Sequence, residues 1–145
     1  MPTLKKNKLS NLLELGYKKF PHQVSGKLFE YEEISNKPVV RERLHNACAV
    51  GLIMISHLDQ SIIDQLHAGT NGRLRDHINV NGSFDEVINS LNINKNVLRK
   101  YIKCQHRDCK YHGIFPTIEL YIVHLNDYHG YSIKTIVKKL RALNL

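Results

Sequence analysis

Residues 104 to 129 carry the pattern Cys-x4-Cys-x14-His-x4-His, fixed by Cys104, Cys109, His124 and His129. No other feature restricts the fold so much, because four side chains that share one ion must end at one point. The intervals match a tetrahedral Cys2His2 site, with about two to four residues between cysteines, 12 to 15 in the middle and three to five between histidines. Two cysteines on a tight turn direct both sulfurs to one place. Two histidines near a helix end can converge there too, since a helix turns once in about 3.6 residues. Here the second histidine comes five positions after the first, so the helix must loosen or end between them. Gly130 follows as a natural C-terminal cap. The pattern predicts one Zn2+ per chain.

The donor set predicts a structural ion. Two thiolates and two neutral imidazoles fill a tetrahedral shell and leave no position for water or substrate. There is no H-E-x-x-H, and no glutamate between the histidines to act as a base. A cysteine nucleophile paired with a histidine fits poorly, because these cysteines serve better as ligands. His106 and His112 are substitute ligands by type, but they lie in the turn and the hairpin. Asp127 is the candidate to orient a ligand histidine through its other ring nitrogen, or else a plain helix-end residue. No catalytic constellation emerges, and the expectation is a non-enzymatic protein.

Around this site the chain reads as mainly α. The expected fold is a single domain over 1–145, with a helical body over 1–103 and a zinc-stapled helix pair over 104–145. There is room for one short β-hairpin, at KYHGIF around Gly113. Leu9, Leu12 and Leu13 predict a helix from Lys8 to Leu15, with Gly16 as its cap. QVSGKLFEYEEI is ambiguous between strand and turn, and a loop centres on Asn36 and Pro38. Arg41 to Leu58 gives the broadest apolar helical face, carrying Leu44, Cys48, Leu52 and Ile55, and predicts a central buried helix. Cys48 there reads as a small buried apolar residue rather than a reactive thiol. A helical turn follows over Ser61 to Leu66, then a loop rich in Gly and Asn. Ser83 predicts a capping box with Glu86, and Asn96 a cap for a helix carrying Val97, Leu98, Tyr101 and Ile102. Thr117 caps the helix that leads to His124, and Ser132 caps the last one. In that last helix Ile133, Ile136, Val137, Leu140 and Leu143 share one face.

The net charge of +8 raises nucleic acid, an acidic protein or a membrane surface as partners without choosing among them. The longest apolar run, Ala47 to Ile55, is far short of the roughly 20 residues that span a bilayer. The N-terminus has no Sec-type signal pattern. Three cysteines are an odd set, two of them near histidines, which points to a reducing compartment and a cytoplasmic location. The leading expectation is an interaction or regulatory protein with an unidentified protein partner. The alternative is a nucleic-acid-binding protein that uses the C-terminal helix pair, a helix-turn-helix-like unit, with Lys100, Lys103, Lys110, Lys134 and Lys138. Against base reading, the helix from Thr117 to His124 is almost wholly apolar, and the last helix opens with Ser, Ile, Lys and Thr. A hydrolase with a histidine-rich cleft is the third reading.

The ending VHLNDYHGYSIKTIVKKL resembles that of an uncharacterised family of small bacterial and bacteriophage proteins, in which a cysteine pair precedes an H-L-N-D-x-H motif. ACAVGLIM (47–54) is similar to that family's upstream Cys-Ala-Leu-Gly helix. LGYKKFPHQVSGKLF (15–29) is similar to its Leu-Gly start and Pro-Gln-x-x-Gly segment. Tyr131 stands where the family has Trp, Ile136-Val137 where it has Ile-Ala, and 56–96 has no clear counterpart. The resemblance implies a zinc-associated ending and no established activity.

Overall fold

The computed structural model describes residues 6–36, 39–70, 72–78, 84, 91–93, 96, 101–104, 106, 109 and 114–145. Helix α1, Leu9–Lys19, is followed by a long hairpin of β1, Phe29–Asn36, and β2, Val39–Ala47. Helices α2, Ala49–Ile55, and α3, Gln60–Ala68, come next, then a short 3-10 turn, Leu74–Asp76. The strands β3, Ile102–Lys103, and β4, Ile114–Phe115, precede α4, Ile118–Val123. One turn of π-helix, His124–Tyr128, then leads to α5, Ile133–Ala142.

Both sheets among the described residues are two-stranded and antiparallel, β1 with β2 and β3 with β4. The fold is therefore mixed α and β, which corrects the mainly helical expectation. The decisive segment is 41–47. It pairs along β1, from Asn36 opposite Val39 to Phe29 opposite Ala47. Local preference for helix in an Arg, Glu and Leu-rich stretch yields there to tertiary pairing. Only the second half of the expected helix is helical. It is the central element, with every residue of α2 buried.

Helix α1 runs past Gly16 rather than stopping at it. A Cβ on Gly16 would stand 2.0 Å from the Leu52 carbonyl oxygen, so the glycine is there to admit the backbone of α2. The expected turn at Ser61 to Leu66 is the longer α3, closed by Gly69 at φ +75°. Ile102, expected in a helix, is in β3. The expected Ser83 capping box and the hairpin glycine Gly113 lie outside the described residues, as do Val97 and Leu98. Helix α5 packs on α1 and buries Ile133, Ile136, Val137 and Leu140 of the expected face, while Leu143 is the C-cap and only half-buried. Among the described residues, the buried apolar side chains from Leu9 to Leu145 other than Cys109 form one core cluster. Among the described residues, no helix is long and apolar enough to cross a membrane.

Candidate metal centre

Cys104 follows β3, and Cys109 lies in the connection from β3 to β4. Ile102 opposite Phe115 and Lys103 opposite Ile114 close that connection at its base. This pairing begins before Cys104; the hairpin expected within KYHGIF lies largely outside the described residues. Phe115 leads into α4, whose start is capped as expected: Thr117 Oγ1 accepts from Leu120 N at 3.2 Å. Ile118, Tyr121 and Ile122 are buried, while Leu120 is half-exposed, so α4 is less wholly buried than its composition predicts.

The loosening expected between the histidines is the π-helical turn. In an α-helix, residues five apart point about 140° away from each other. Here His129 N donates to His124 O at 3.2 Å, and the wider turn brings both imidazoles to one side. Gly130, at φ +63°, ends the helix, and Tyr131 N donates back to Leu125 O at 3.1 Å. Ser132 Oγ then accepts from Thr135 N at 3.2 Å and starts α5.

The ligand atoms of Cys104, Cys109, His124 and His129 all lie within 4.8 Å of one another. Cys104 Sγ is 3.4 Å from His129 Nε2, and Cys109 Sγ is 3.4 Å from His124 Nε2. Zinc bonds of about 2.3 Å to sulfur and 2.0–2.1 Å to nitrogen give a tetrahedral S···N edge of about 3.6 Å. The residues present therefore fit a tetrahedral ion. Cys109 and His124 are buried, Cys104 and His129 half-buried.

Aromatic rings enclose the cluster. His124 stacks on Tyr128 at 5.0 Å and His129 on Tyr131 at 5.0 Å, and Phe115 lies 4.6 Å from the His124 ring. Burial holds both imidazoles below the ordinary histidine range, and for His129 the neighbouring His124, His106 and Lys139 add to it. Neutral imidazole is the ligand form. Burial pushes the Cys104 thiol up, while a hydrogen bond from the His106 backbone acts to stabilise its thiolate. Burial, then the Cys104 charge, pushes the Tyr121 phenol up to about 12, so it stays protonated beside the cluster.

His106 is not part of the quartet; its ring lies 4.6 Å from that of His129. His112 is outside the described residues. The carboxylate of Asp127 is exposed and accepts from Asn126 Nδ2 at 2.6 Å. Of the lysines considered for nucleic acid, Lys103, Lys134 and Lys138 are exposed, and Lys100 and Lys110 are outside the described residues.

Sequence reasoning missed Asn126. It is wholly buried, and its side chain ties the π-turn to the rest of the core. Its Oδ1 accepts from Ala49 N at 3.1 Å and from Gln23 Nε2 at 3.0 Å, and its Nδ2 donates to Val24 O at 2.9 Å. Gln23 Nε2 also donates to Tyr131 O at 2.8 Å, and Ser25 Oγ to Asn126 O at 3.2 Å. A signal was present: Asn126 falls four positions after Ile122 and eight after Ile118, on an apolar stripe where an amide needs partners. Cys48 lies beside this hub as the N-cap of α2, and its sulfur accepts from Gly51 N at 3.5 Å. Burial pushes its thiol up, in keeping with the expected inert role.

Fold and site together define a mixed α and β protein with a Cys2His2 cluster set between a short hairpin and a helix. The chain matches no family model, no curated protein and no solved structure.

Proposed function

We propose that the protein is a non-enzymatic zinc-binding protein in which the ion fastens the C-terminal helix pair to the core, leaving the rest of the surface for a partner. The observation that carries this is the convergence of two sulfurs and two imidazoles at tetrahedral spacing. Cys104, Cys109, His124 and His129 would hold the ion, and soft thiolates with imidazoles in that geometry select zinc. Bound there, zinc supplies a cross-link and no open coordination position. The hydrogen bonds of Asn126 pass that constraint from the turn between the histidines to α2 and to residues 23–25.

The ending from His124 to His129 supports grouping the chain with the bacterial and phage proteins that share it. The three segments that carry that resemblance meet at Asn126, through its bonds to Gln23 and to Ala49 N, which gives them a reason to occur together.

Elemental analysis of protein purified without chelator tests the reading. About one zinc per chain is expected, as for one mononuclear site. Metal-free protein with an unchanged melting temperature would refute it.

A further inference from the structure

A cleft of about 410 Å³ lies between the start of α1 and the end of α5, lined by Lys6, Asn7, Lys8, Ser10, Asn11 and Arg141. Every lining residue is polar and three are cationic; none of these described residues is a carboxylate. Its walls are fixed. Asn7 pairs with Ile93 in a parallel bridge, its N–H donating to Asn92 O at 2.9 Å and its side chain to Leu91 O at 2.5 Å. That holds the flanking Lys6 and Lys8 at the rim. Lys8 Nζ donates to Asn144 Oδ1 at 2.8 Å. Arg141 is oriented by Asn11 Oδ1 at 3.2 Å and by Glu14 Oε2 at 3.1 Å. Arg141 is matched by Glu14, but Lys6 and Lys8 have no carboxylate partner among the described residues, and an anion in the cleft would relieve their excess positive charge.

The cleft does not stand alone. Lys134, Lys138 and Arg141 are all exposed and follow the i, i+4, i+7 spacing of one helix face. The row covers about 10 Å at 1.5 Å per residue and leads through Arg141 into the cleft. Cations spread over that distance exceed the reach of one small anion and suit a repeating one.

We propose that this cleft and the adjoining stripe of α5 bind the phosphate backbone of nucleic acid, without reading its sequence. The stripe offers lysines, which meet phosphate as point charges. This rests on the protein's being a binding protein rather than an enzyme. Its test uses zinc-loaded protein, so failure here is separate from failure of the metal site.

The experiment is fluorescence anisotropy with a labelled DNA duplex of arbitrary sequence, at salt from about 50 to 200 mM. If four phosphates are neutralised, affinity falls about 100-fold over that range, equally for unrelated sequences. Lys6 and Lys134 are exposed, and no described group bonds to either. Lys6→Ala with Lys134→Ala is expected to weaken binding about tenfold at low salt and to reduce the salt slope by about 2. Lys27→Ala, changing a lysine paired with Glu30 before β1, is expected to leave both unchanged. Wild-type protein that ignores the duplex, or a double variant that binds as well as wild type, overturns the proposal. So does displacement of the duplex by an equal concentration of inorganic phosphate, or binding to phosphatidylserine vesicles but not to the duplex.

Discussion

Replacing Asn126 by alanine is the sharpest test of how the metal centre is tied to the core. The amide makes four hydrogen bonds in a place with no access to water. Truncation leaves the Ala49 N–H without its acceptor, and Ala49 is itself fully buried. An orphaned buried donor costs about 1–3 kcal/mol. The Val24 carbonyl loses a donor as well, but it is only partly buried and water reaches that side. The Gln23 amide keeps its bond to Tyr131 O, and Asp127 is exposed, so both losses are small. Adding a modest term of about 1 kcal/mol for the vacated space gives about 2–4 kcal/mol. For a chain of this size that is a fall of about 4–16 °C in melting temperature. Urea unfolding of the zinc-loaded variant measures it directly. A loss under about 1 kcal/mol would mean that the Ala49 N–H finds another partner, and the hub would not be what joins the turn to α2. Asn126→Asp provides the complementary case. It keeps an acceptor for Ala49 N but sets an oxygen against Val24 O and the Asp127 carboxylate, so a similar loss is expected.

Cys104→Ser should abolish stoichiometric zinc and lower the melting temperature, whereas Cys48→Ser should keep the metal and cost about 1 kcal/mol or less, because serine is a good N-cap; equal losses would show that the metal contributes little to folding. Gly16→Ala should cost about 3 kcal/mol by urea unfolding, since the new methyl would meet the rigid Leu52 carbonyl at 2.0 Å; a neutral result would refute the close approach of α1 and α2. Acidification should release zinc. His124 and His129 are held below the ordinary value, so below about pH 6.5 the unfolded chain takes up more protons than the folded one and stability falls as pH falls. Protons also compete with the metal for both imidazoles. A zinc indicator should report release between about pH 6 and pH 4, and retention well below that would argue against imidazole ligands.

The C-terminal third of the fold was legible because each of its devices is local. Thr117 and Ser132 cap the helices they precede, Gly130 takes the left-handed conformation, and the apolar positions of α5 repeat at helical spacing. The hairpin was hidden because β2 imitates a helix. Leu44 and Ala47 are buried at a spacing of three, and the charged Glu42 is buried on the same strand. Alternation is further broken on β2 itself, where Asn46 pairs with Glu30 and Leu44 with Tyr31, leaving His45 as an extra residue. The true start of α2 was masked by Cys48, since a cysteine sulfur is not among the usual capping groups. Nothing within 39–47 alone indicates that Phe29–Asn36 will pair with it. That information is in the pairing and not in either strand.

The spacing of the two histidines follows from having to face two ways at once. With His124 and His129 five apart, an α-helix would send the imidazoles in divergent directions. A spacing of four would bring them together without any disturbance of the helix. The extra residue forces the π-turn, and what the turn gains is Asn126. Two positions after His124, its side chain points away from the ligands and into the core, onto Ala49 N and Val24 O. One turn of backbone thus presents imidazoles to a metal on one side and a satisfied amide to α2 on the other. Under this view the metal and the amide fix the same turn, and their contributions are not independent. Asn126→Ala should weaken zinc binding although it touches no ligand atom, and removing zinc should shrink the cost of Asn126→Ala. Additive losses in that double perturbation, read as unfolding free energies with and without metal, would show that the turn keeps its shape without either one.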